Sequence, residues 1–213
     1  LVPFFFFFFF FLEFLNVQDC AKRNKMTLNL TKTKEIIFRR PSARRSLVLP
    51  PLLPLVERVR SAKLLGVFIT DTLMFNEHVN YVLKQSCQRL YLLKLLRAQG
   101  LPLHQLHTVC VAMLVSRITY AICAWGGFCA AADVNRINSF LKRLVRYGYM
   151  STVFDFQFYL NLADTRLFKS ITRSNVHCLQ TLLPALKPTA GCELQKRNHM
   201  YTLLAFRYEL FRK

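Results

Sequence analysis

Residues 63–69 read Lys-Leu-Leu-Gly-Val-Phe-Ile and form the clearest strand pattern in the chain, because β-branched and aromatic residues follow an interrupting glycine. After Asp71 the apolar residues recur at spacings of three and four, which places them on one face of a helix. These residues are Val79, Val82, Leu83, Cys87, Leu90 and Leu93. Gly100 and Pro102 end this helical pattern. The change from strand to helix predicts an α+β fold.

The segment before this strand predicts further short elements. Residues 17–25 are typical of the end of a helix, with Asn24 as its left-handed terminator and basic residues in its last turn. Residues 26–30 alternate apolar and polar side chains, and residues 35–38 read Glu-Ile-Ile-Phe, so each segment predicts a short strand. Residues 39–54 combine arginines with prolines and predict a loop, because proline cannot donate a backbone hydrogen bond. We expect a short antiparallel β-piece here.

Two more helices are predicted after Pro102. One is marked by the apolar residues Leu106, Cys110, Met113, Leu114, Ile118 and Ala121, which lead towards Trp125-Gly126-Gly127. The next begins with Asp133 as its N-cap and ends at Gly148. It is amphipathic, with one apolar face and one basic face. The apolar face has Val134, Ile137, Leu141, Leu144 and Val145, and the basic face has Arg136, Lys142, Arg143 and Arg146. Helical segments continue over residues 164–183, so a mainly α-helical bundle follows the β-piece.

Four regions follow from these patterns. Residues 1–15 are a low-complexity segment in which positions 4–11 are all phenylalanine, and a phenylalanine homopolymer has no helical or strand period. A degenerate core strand is the alternative for this segment. The β-piece with its Pro- and Arg-rich loop occupies residues 16–75, the helical bundle residues 76–150, and a C-terminal helical tail residues 151–213.

The charge of the chain limits its partners. The sequence has 30 Lys and Arg against 11 Asp and Glu, a formal net charge of +19. This excess predicts a polyanionic partner, most simply nucleic acid, with an anionic membrane surface as the second choice. Seven Cys without a CxxC pair argue against a disulfide scaffold and a zinc ribbon, and we expect reduced thiols in an intracellular protein of the cytoplasm or nucleus.

The residue types that carry catalysis are scattered. No two carboxylates are closer in sequence than Asp71 and Glu77, which are six residues apart, whereas a two-metal site needs converging carboxylates. His104 and His107 share a helix face, but no acidic or thiol partner follows at ligand spacing, so we expect a surface pair rather than a metal site. Cys123 and Cys129 flank Trp125 and are expected to be buried thiols. No Gly-rich phosphate loop and no GxSxG motif is present, and no small-molecule substrate is indicated.

Residues 29–38, Asn-Leu-Thr-Lys-Thr-Lys-Glu-Ile-Ile-Phe, resemble the segment just after the catalytic aspartates in reverse transcriptases of non-LTR (LINE-type) retrotransposons. Later segments also resemble this family, in the same order, as its next strand pair, thumb helices and C-terminal tail. They are residues 61–67, 73–75 with His78, 96–100, 116–127, 177–184 and 197–211. The resemblance covers residues 17–213 and implies the end of the palm, the thumb and most of the tail.

The resemblance implies roles for several residues. Lys32 matches a lysine near the leaving pyrophosphate, where a cation stabilises the departing group. Lys63 and Gly66 match the strand that supports the primer end, where glycine permits a close backbone approach. The basic face of the predicted helix would grip the backbone of an RNA and DNA primer-template, through Arg136, Lys142, Arg143 and Arg146. A solvated lysine, a bulge in an ordinary hairpin and a solvated helix face are the structural alternatives.

The sequence also departs from the family. The Tyr-x-Asp-Asp motif and the earlier metal-binding aspartate would lie upstream of Val17, and neither occurs in this sequence. Without these carboxylates the two Mg²⁺ ions of the parent RNA-directed DNA polymerase have no ligands. We therefore expect a truncated, inactive fragment that needs no cofactor and retains at most nucleic-acid binding.

Two alternatives stay open. The first is a stand-alone basic nucleic-acid-binding protein. Residues 32–69 also resemble a region associated with AlkB-type alkylated-DNA-repair proteins, but none of the five His is followed two residues later by the Asp of an iron site, so we do not expect that activity. The second alternative is a small membrane protein that uses residues 4–15 and 109–132. The second of these segments contains Arg117, which costs about 2.5–3.5 kcal/mol on insertion scales, so we do not expect a membrane partner.

Overall fold

The computed structural model describes residues 2–39, 49–152, 154–174, 176–186 and 201–202, with side chains described from residue 12 onward. It is a mixed helix and strand chain, as predicted for an α+β fold. The chain divides into two compact units, residues 1–160 and 161–213. The finer region boundaries given above stay predictions.

The first helix, α1, spans Val2–Arg23 and includes the phenylalanine run, so the alternative of a core strand there is wrong. The left-handed residue that ends α1 is Lys25, with φ of +55°, and not Asn24 as predicted. The amide of Met26 donates to the carbonyl of Ala21 at 2.9 Å, which is the bond that closes a Schellman-type helix end. Asn24 instead donates its side-chain amide to the carbonyl of Cys20 at 2.8 Å.

The strand predicted at residues 26–30 is wrong, because no strand forms there and a turn follows. The side-chain oxygen of Asn29 accepts hydrogen bonds from the Thr31 hydroxyl at 2.7 Å and from the Lys32 amide at 3.2 Å. An asparagine that bonds its own backbone in this way competes with strand pairing.

The strand predicted at residues 35–38 is reduced to β1, Lys34–Glu35, which pairs with β2, Glu57–Arg58. The pairing is parallel, so the predicted antiparallel β-piece is antiparallel only in part. Most of the predicted loop, residues 40–48, lies outside the described residues.

Residues 63–69 form not one strand but the greater part of an antiparallel hairpin. Its strands are β3, Ser61–Leu64, and β4, Val67–Thr70. The turn between them consists of Leu65 and Gly66, with φ of +46° and +89°, as a two-residue hairpin turn requires.

Helix α2 spans Asn76–Ala98, where the apolar spacing predicts a helix. Cys87, which the prediction placed on the apolar face, is exposed. It ends at Gly100 as predicted, where the amide of Leu101 donates to the carbonyl of Leu96 at 3.1 Å. The next predicted helix is interrupted. It comprises α3, Leu103–Cys110, a π-helical turn at Val111–Val115, α4, Ser116–Thr119, and α5, Ile122–Trp125.

The interruption between α4 and α5 has a defined geometry. Tyr120 is extended, with ψ of 125°, and Ala121 has φ of +49°. The indole Nε1 of Trp125 donates to the carbonyl of Tyr120 at 3.0 Å. In an unbroken helix this carbonyl would accept from the amide four residues later. The indole N–H takes the place of that donor.

A 3₁₀ turn at Gly126–Phe128 leads into helix α6, Ala131–Arg146. The helix begins before Asp133, so Asp133 is not the N-cap that the sequence predicts but lies in the first turn. It ends at Gly148 as predicted, with the amide of Tyr149 donating to the carbonyl of Leu144 at 3.0 Å. The last long helix, α7, spans Phe156–Arg173, and a short 3₁₀ turn lies at Gln180–Leu182. The helix predicted over residues 164–183 is therefore shifted towards the N-terminus.

The core of the first unit surrounds Trp125, which is fully buried between the rings of His78 and Phe156. The other side chains that are almost completely buried include Val79, Leu93, Leu106, Cys110, Leu114, Ile118, Ile122, Ile137, Leu141 and Leu144. The segment Leu103–Phe128 is long and apolar enough to cross a membrane by length and composition, a test that the core helix of a soluble protein also passes. In this structure it supplies much of the core.

Candidate nucleic-acid interface

Helices α2 and α6 lie side by side and run in the same direction. Near their starts, the guanidinium of Arg136 donates to the side-chain oxygen of Asn80 at 2.7 Å. At their ends, the guanidinium of Arg97 donates to the carbonyl of Tyr147. The C-termini of both helices therefore meet at one edge of the first unit, where the helix dipoles favour positive charge.

At this edge basic and aromatic side chains alternate. We call the set of Lys94, Arg97, Arg146, Tyr147 and Tyr149 the basic rim. The Lys94 ammonium and the Arg146 guanidinium lie 5.2 and 5.5 Å from the centre of the Tyr147 ring, and the Arg97 guanidinium lies 5.7 Å from that of Tyr149. A pocket of about 330 Å³ opens here, lined by four of these residues and Ala98. The tyrosine rings hold the cations in place without neutralising them.

The basic rim lacks acidic partners. Within the part of the chain that the structure describes, no carboxylate lies within ion-pair distance of Lys94, Arg97 or Arg146. Lys142 and Arg143, one turn earlier on α6, are exposed and make no hydrogen bond or ion pair with described residues. These five cations are therefore available to an external anion.

Arg136, the fourth residue of the predicted basic face, has a different environment. Its guanidinium pairs with Asp133 at 2.9 Å and donates to Asn80, so its charge is already compensated inside the fold. The structure thus separates Arg136 from Lys142, Arg143 and Arg146, which the sequence pattern grouped on one face.

The predicted site residues outside α6 lie elsewhere. Lys32 is exposed on the turn that follows Asn29. Lys63 lies on β3, where its ammonium donates to the hydroxyl of Tyr81 at 3.0 Å. Gly66 is at the tip of the hairpin. Tyr81 is about 20 Å along α2 from Lys94, so the hairpin residues and the basic rim form two separate surfaces.

The His and Cys residues give no metal site among the residues that the structure describes. His104 and His107 are both exposed on α3, as expected of a surface pair. Cys123 and Cys129 are half-buried rather than buried. Burial raises the pKa of the Cys129 thiol to about 11, with a further contribution from the charge of Asp133. A thiol with so high a pKa is a poor nucleophile near neutral pH.

Sequence reasoning missed four members of the basic rim, namely Lys94, Arg97, Tyr147 and Tyr149. Lys94 and Arg97 are three residues apart just before Gly100, and the tyrosines flank Gly148. A search for basic and aromatic residues around predicted helix ends would have found both pairs, although not their proximity, which depends on how α2 and α6 pack.

No protein-family model matches this chain, and neither the curated proteins nor the solved structures contain a match. The resemblance to reverse transcriptases stays a prediction from the sequence. Function is therefore inferred from the charges and contacts of this chain's own residues.

Proposed function

We propose that this chain binds nucleic acid through the basic rim together with Lys142 and Arg143, as a region similar to the thumb and tail of non-LTR reverse transcriptases. The observation that supports this proposal is the group of five cations at the ends of α2 and α6 that have no carboxylate partner among the described residues. RNA and DNA backbones carry the phosphates that such a surface binds.

The proposal predicts a defined salt dependence. Each phosphate neutralised by a Lys or Arg on a duplex releases counterions and contributes about −0.9 to the slope of log affinity against log salt concentration. If all five cations contact phosphates, this slope is about −4 to −5. Binding of this kind holds the backbone and is indifferent to sequence.

Polymerisation is not part of the proposal, because the sequence contains no Tyr-x-Asp-Asp motif. Reverse transcription requires carboxylates that hold two Mg²⁺ ions against the primer end and the incoming nucleotide. Mg²⁺ is therefore assigned to the parent enzyme only, and Lys32 would at most retain a place near the leaving group.

The direct test measures fluorescence anisotropy of a labelled RNA–DNA primer-template against the full chain at several salt concentrations. The test variant is the triple substitution K142Q/R143Q/R146Q. The matched control is K22Q/R166Q/R173Q, which removes the same charges from exposed positions on α1 and α7. We expect the salt slope of the test variant to become shallower by about 2 to 3, and that of the control to change little.

Two outcomes would contradict the proposal. If both triple variants lose affinity equally, binding depends on net charge and not on this surface. If neither loses affinity, the surface does not contact the ligand. Comparing the affinities for the hybrid and for a single strand of equal length distinguishes a thumb-like region from a general basic nucleic-acid-binding protein. A thumb-like surface is expected to prefer the duplex, whereas a general basic protein need not.

A further inference from the structure

A second group of cations lies around the side chain of Tyr81, at the other end of α2 from the basic rim. Lys63 from β3 donates to this hydroxyl at 3.0 Å, and its ammonium lies 4.3 Å from the centre of the Tyr81 ring. The guanidinium carbon of Arg117 from α4 lies 5.9 Å from the centre of the same ring. Two separate elements thus bring positive charge to one phenol, which itself projects from α2.

The elements that carry these cations are fixed relative to one another. The hydroxyl of Tyr120, three residues after Arg117, donates to the carbonyl of Leu65 at 3.0 Å and so holds the hairpin that carries Lys63. On the other side, Arg89 donates to the carbonyl of Met113 at 3.2 Å, within the π-helical turn that precedes α4. The arrangement is therefore built into the fold and does not depend on mobile side chains alone.

The positive charge of this group is not compensated within the described residues. Glu77, the nearest acidic residue along α2, accepts a hydrogen bond from the Ser61 hydroxyl at 2.6 Å and forms no ion pair with Lys63 or Arg117. The Nε of Arg117 is buried and has no hydrogen-bond partner in the described part of the chain. A buried guanidinium N–H normally has an acceptor. Because this Nε is itself closed to solvent, an external anion would contact the terminal nitrogens of the Arg117 guanidinium, next to it.

We propose that Lys63, Tyr81 and Arg117 form a binding site for a phosphate group. Arg117 would donate from its guanidinium, and Lys63 from its ammonium, to the phosphate oxygens, while the hydroxyl of Tyr81 supplies a further donor. The phosphate is either free inorganic phosphate or a backbone phosphodiester of nucleic acid. The site uses none of the cations of the basic rim.

The acidity of Tyr81 supports this assignment. The hydrogen bond from Lys63 lowers the pKa of Tyr81 below its usual value of 10.0, and the charges of Lys63, Arg117 and Arg89 lower it further, although burial opposes this effect. The group therefore already favours an anion at the phenol oxygen. A phosphate bound among the same cations would neutralise them and return the pKa of Tyr81 towards its usual value.

The test uses the full chain and follows two signals as inorganic phosphate replaces chloride at constant ionic strength. The first is the ¹H–¹⁵N resonance of the Arg117 side-chain Nε, and the second is the near-ultraviolet titration of tyrosinate, assigned by the Tyr81→Phe variant. We expect a saturable shift of the Arg117 resonance and an upward shift of the Tyr81 titration. The variant Lys63→Gln should weaken phosphate binding about tenfold, whereas Lys22→Gln on α1 should not.

A short DNA oligonucleotide in place of phosphate identifies the source of the phosphate group. A shift with inorganic phosphate supports a free-phosphate site, and a shift with the oligonucleotide alone supports a backbone contact. The absence of any Arg117 shift with both probes overturns the proposal. Because Arg117 is half-buried, the exposed Lys63 carries the variant test and folding is checked by the remaining amide spectrum. The same titration in K142Q/R143Q/R146Q, which leaves Lys63, Tyr81 and Arg117 intact, should give the same Arg117 shift. This outcome does not depend on whether the proposed function is correct.

Discussion

The strand-bearing segment, residues 34–77, and the helical segment, residues 78–149, use their charges in opposite ways. In the first, three of the four carboxylates pair with a cation of the same segment, in Lys34–Glu57, Arg39–Asp71 and Arg58–Glu35. The second has nine Lys and Arg but a single carboxylate, Asp133. Arg136 pairs with Asp133. The other cations of this segment lie over tyrosine rings, donate to carbonyls or face solvent.

This difference shows that net charge alone does not locate a binding surface. In the strand-bearing segment Lys34, Arg39 and Arg58 form ion pairs that join parts of the chain distant in sequence, whereas Lys63 forms none with the described residues. In the helical segment apolar packing already holds the helices together, so most cations serve no structural ion pair. An external polyanion is therefore expected to bind the helical segment first.

The largest effect is expected from breaking the buried ion pair of the strand-bearing segment, Arg58–Glu35. The side chain of Glu35 is 3% exposed, and its partner Arg58 also donates to the carbonyls of Pro50 and Pro51. Glu35→Gln leaves the Arg58 charge without a carboxylate and should lower the free energy of unfolding by about 3 kcal/mol in urea denaturation. Lys34→Gln, in the exposed pair beside it, should cost less than about 1 kcal/mol. Equal losses would contradict the distinction between the two pairs.

The next effect concerns His78, which begins the helical segment. Burial, and then the nearby charge of Lys63, lowers the pKa of His78 from 6.5 to about 4. The unfolded chain therefore binds a proton at higher pH than the folded chain, so stability is complete above pH 6.5 and falls as the pH drops towards 4. The loss is up to about 3 kcal/mol.

Urea unfolding at a series of pH values checks this prediction. The variant His78→Gln cannot titrate at this position, so its stability should fall less over the same interval, whatever its starting value. A parallel decline in the two proteins would show that other groups govern the acid sensitivity.

A smaller effect is expected from disturbing the apolar packing of the helical segment, which holds its helices together without ion pairs. A Cβ on Gly126 would lie 2.9 Å from Leu160 Cδ1 and 3.0 Å from Ile122 Cγ1, whereas a Cβ on Gly127 would meet nothing within 4 Å. Gly126→Ala should therefore lower the free energy of unfolding by about 1–3 kcal/mol. Gly127→Ala is the matched control and should be nearly neutral. If Gly126→Ala is equally neutral, the core accommodates the methyl group by relaxing.

The smallest effect compares two cations of one helix. Lys142→Gln should leave stability unchanged and make the salt slope of nucleic-acid binding shallower by about 1. Arg136→Gln should lower the free energy of unfolding and leave the salt slope unchanged, because Arg136 pairs with Asp133, donates to Asn80 and is not available to the ligand. Anisotropy titrations and urea unfolding on the same preparations measure both. A change in slope for Arg136→Gln would place that residue in the binding surface.

Helices with a regular apolar face could be predicted from the sequence. The extent of α2 follows from its spacing, and the ends of α2 and α6 follow from Gly100 and Gly148, because these signals are local. The basic side chains of α6 were also recognised, although Arg136 proved to be engaged within the fold.

Features that depend on distant partners were not predictable. Leu65 is an unusual residue for a hairpin turn, so residues 63–69 resembled a single strand. The parallel pairing of β1 with β2 and the break at Ala121 have no local signal. The basic rim was missed for the same reason, since its two halves meet only when the helices pack.

Tyr120 gives the chain an internal optical reporter. Its hydroxyl holds the hairpin through Leu65, and its carbonyl accepts from the indole of Trp125, which is the single tryptophan of the sequence. Release of the hairpin tip would therefore alter the polarity around that indole while the surrounding core stays packed. The tryptophan emission of the unlabelled protein can thus follow local opening of the hairpin separately from global unfolding. In the variant Tyr120→Phe, which lacks the hydroxyl that bonds Leu65, the emission should no longer respond to opening of the hairpin.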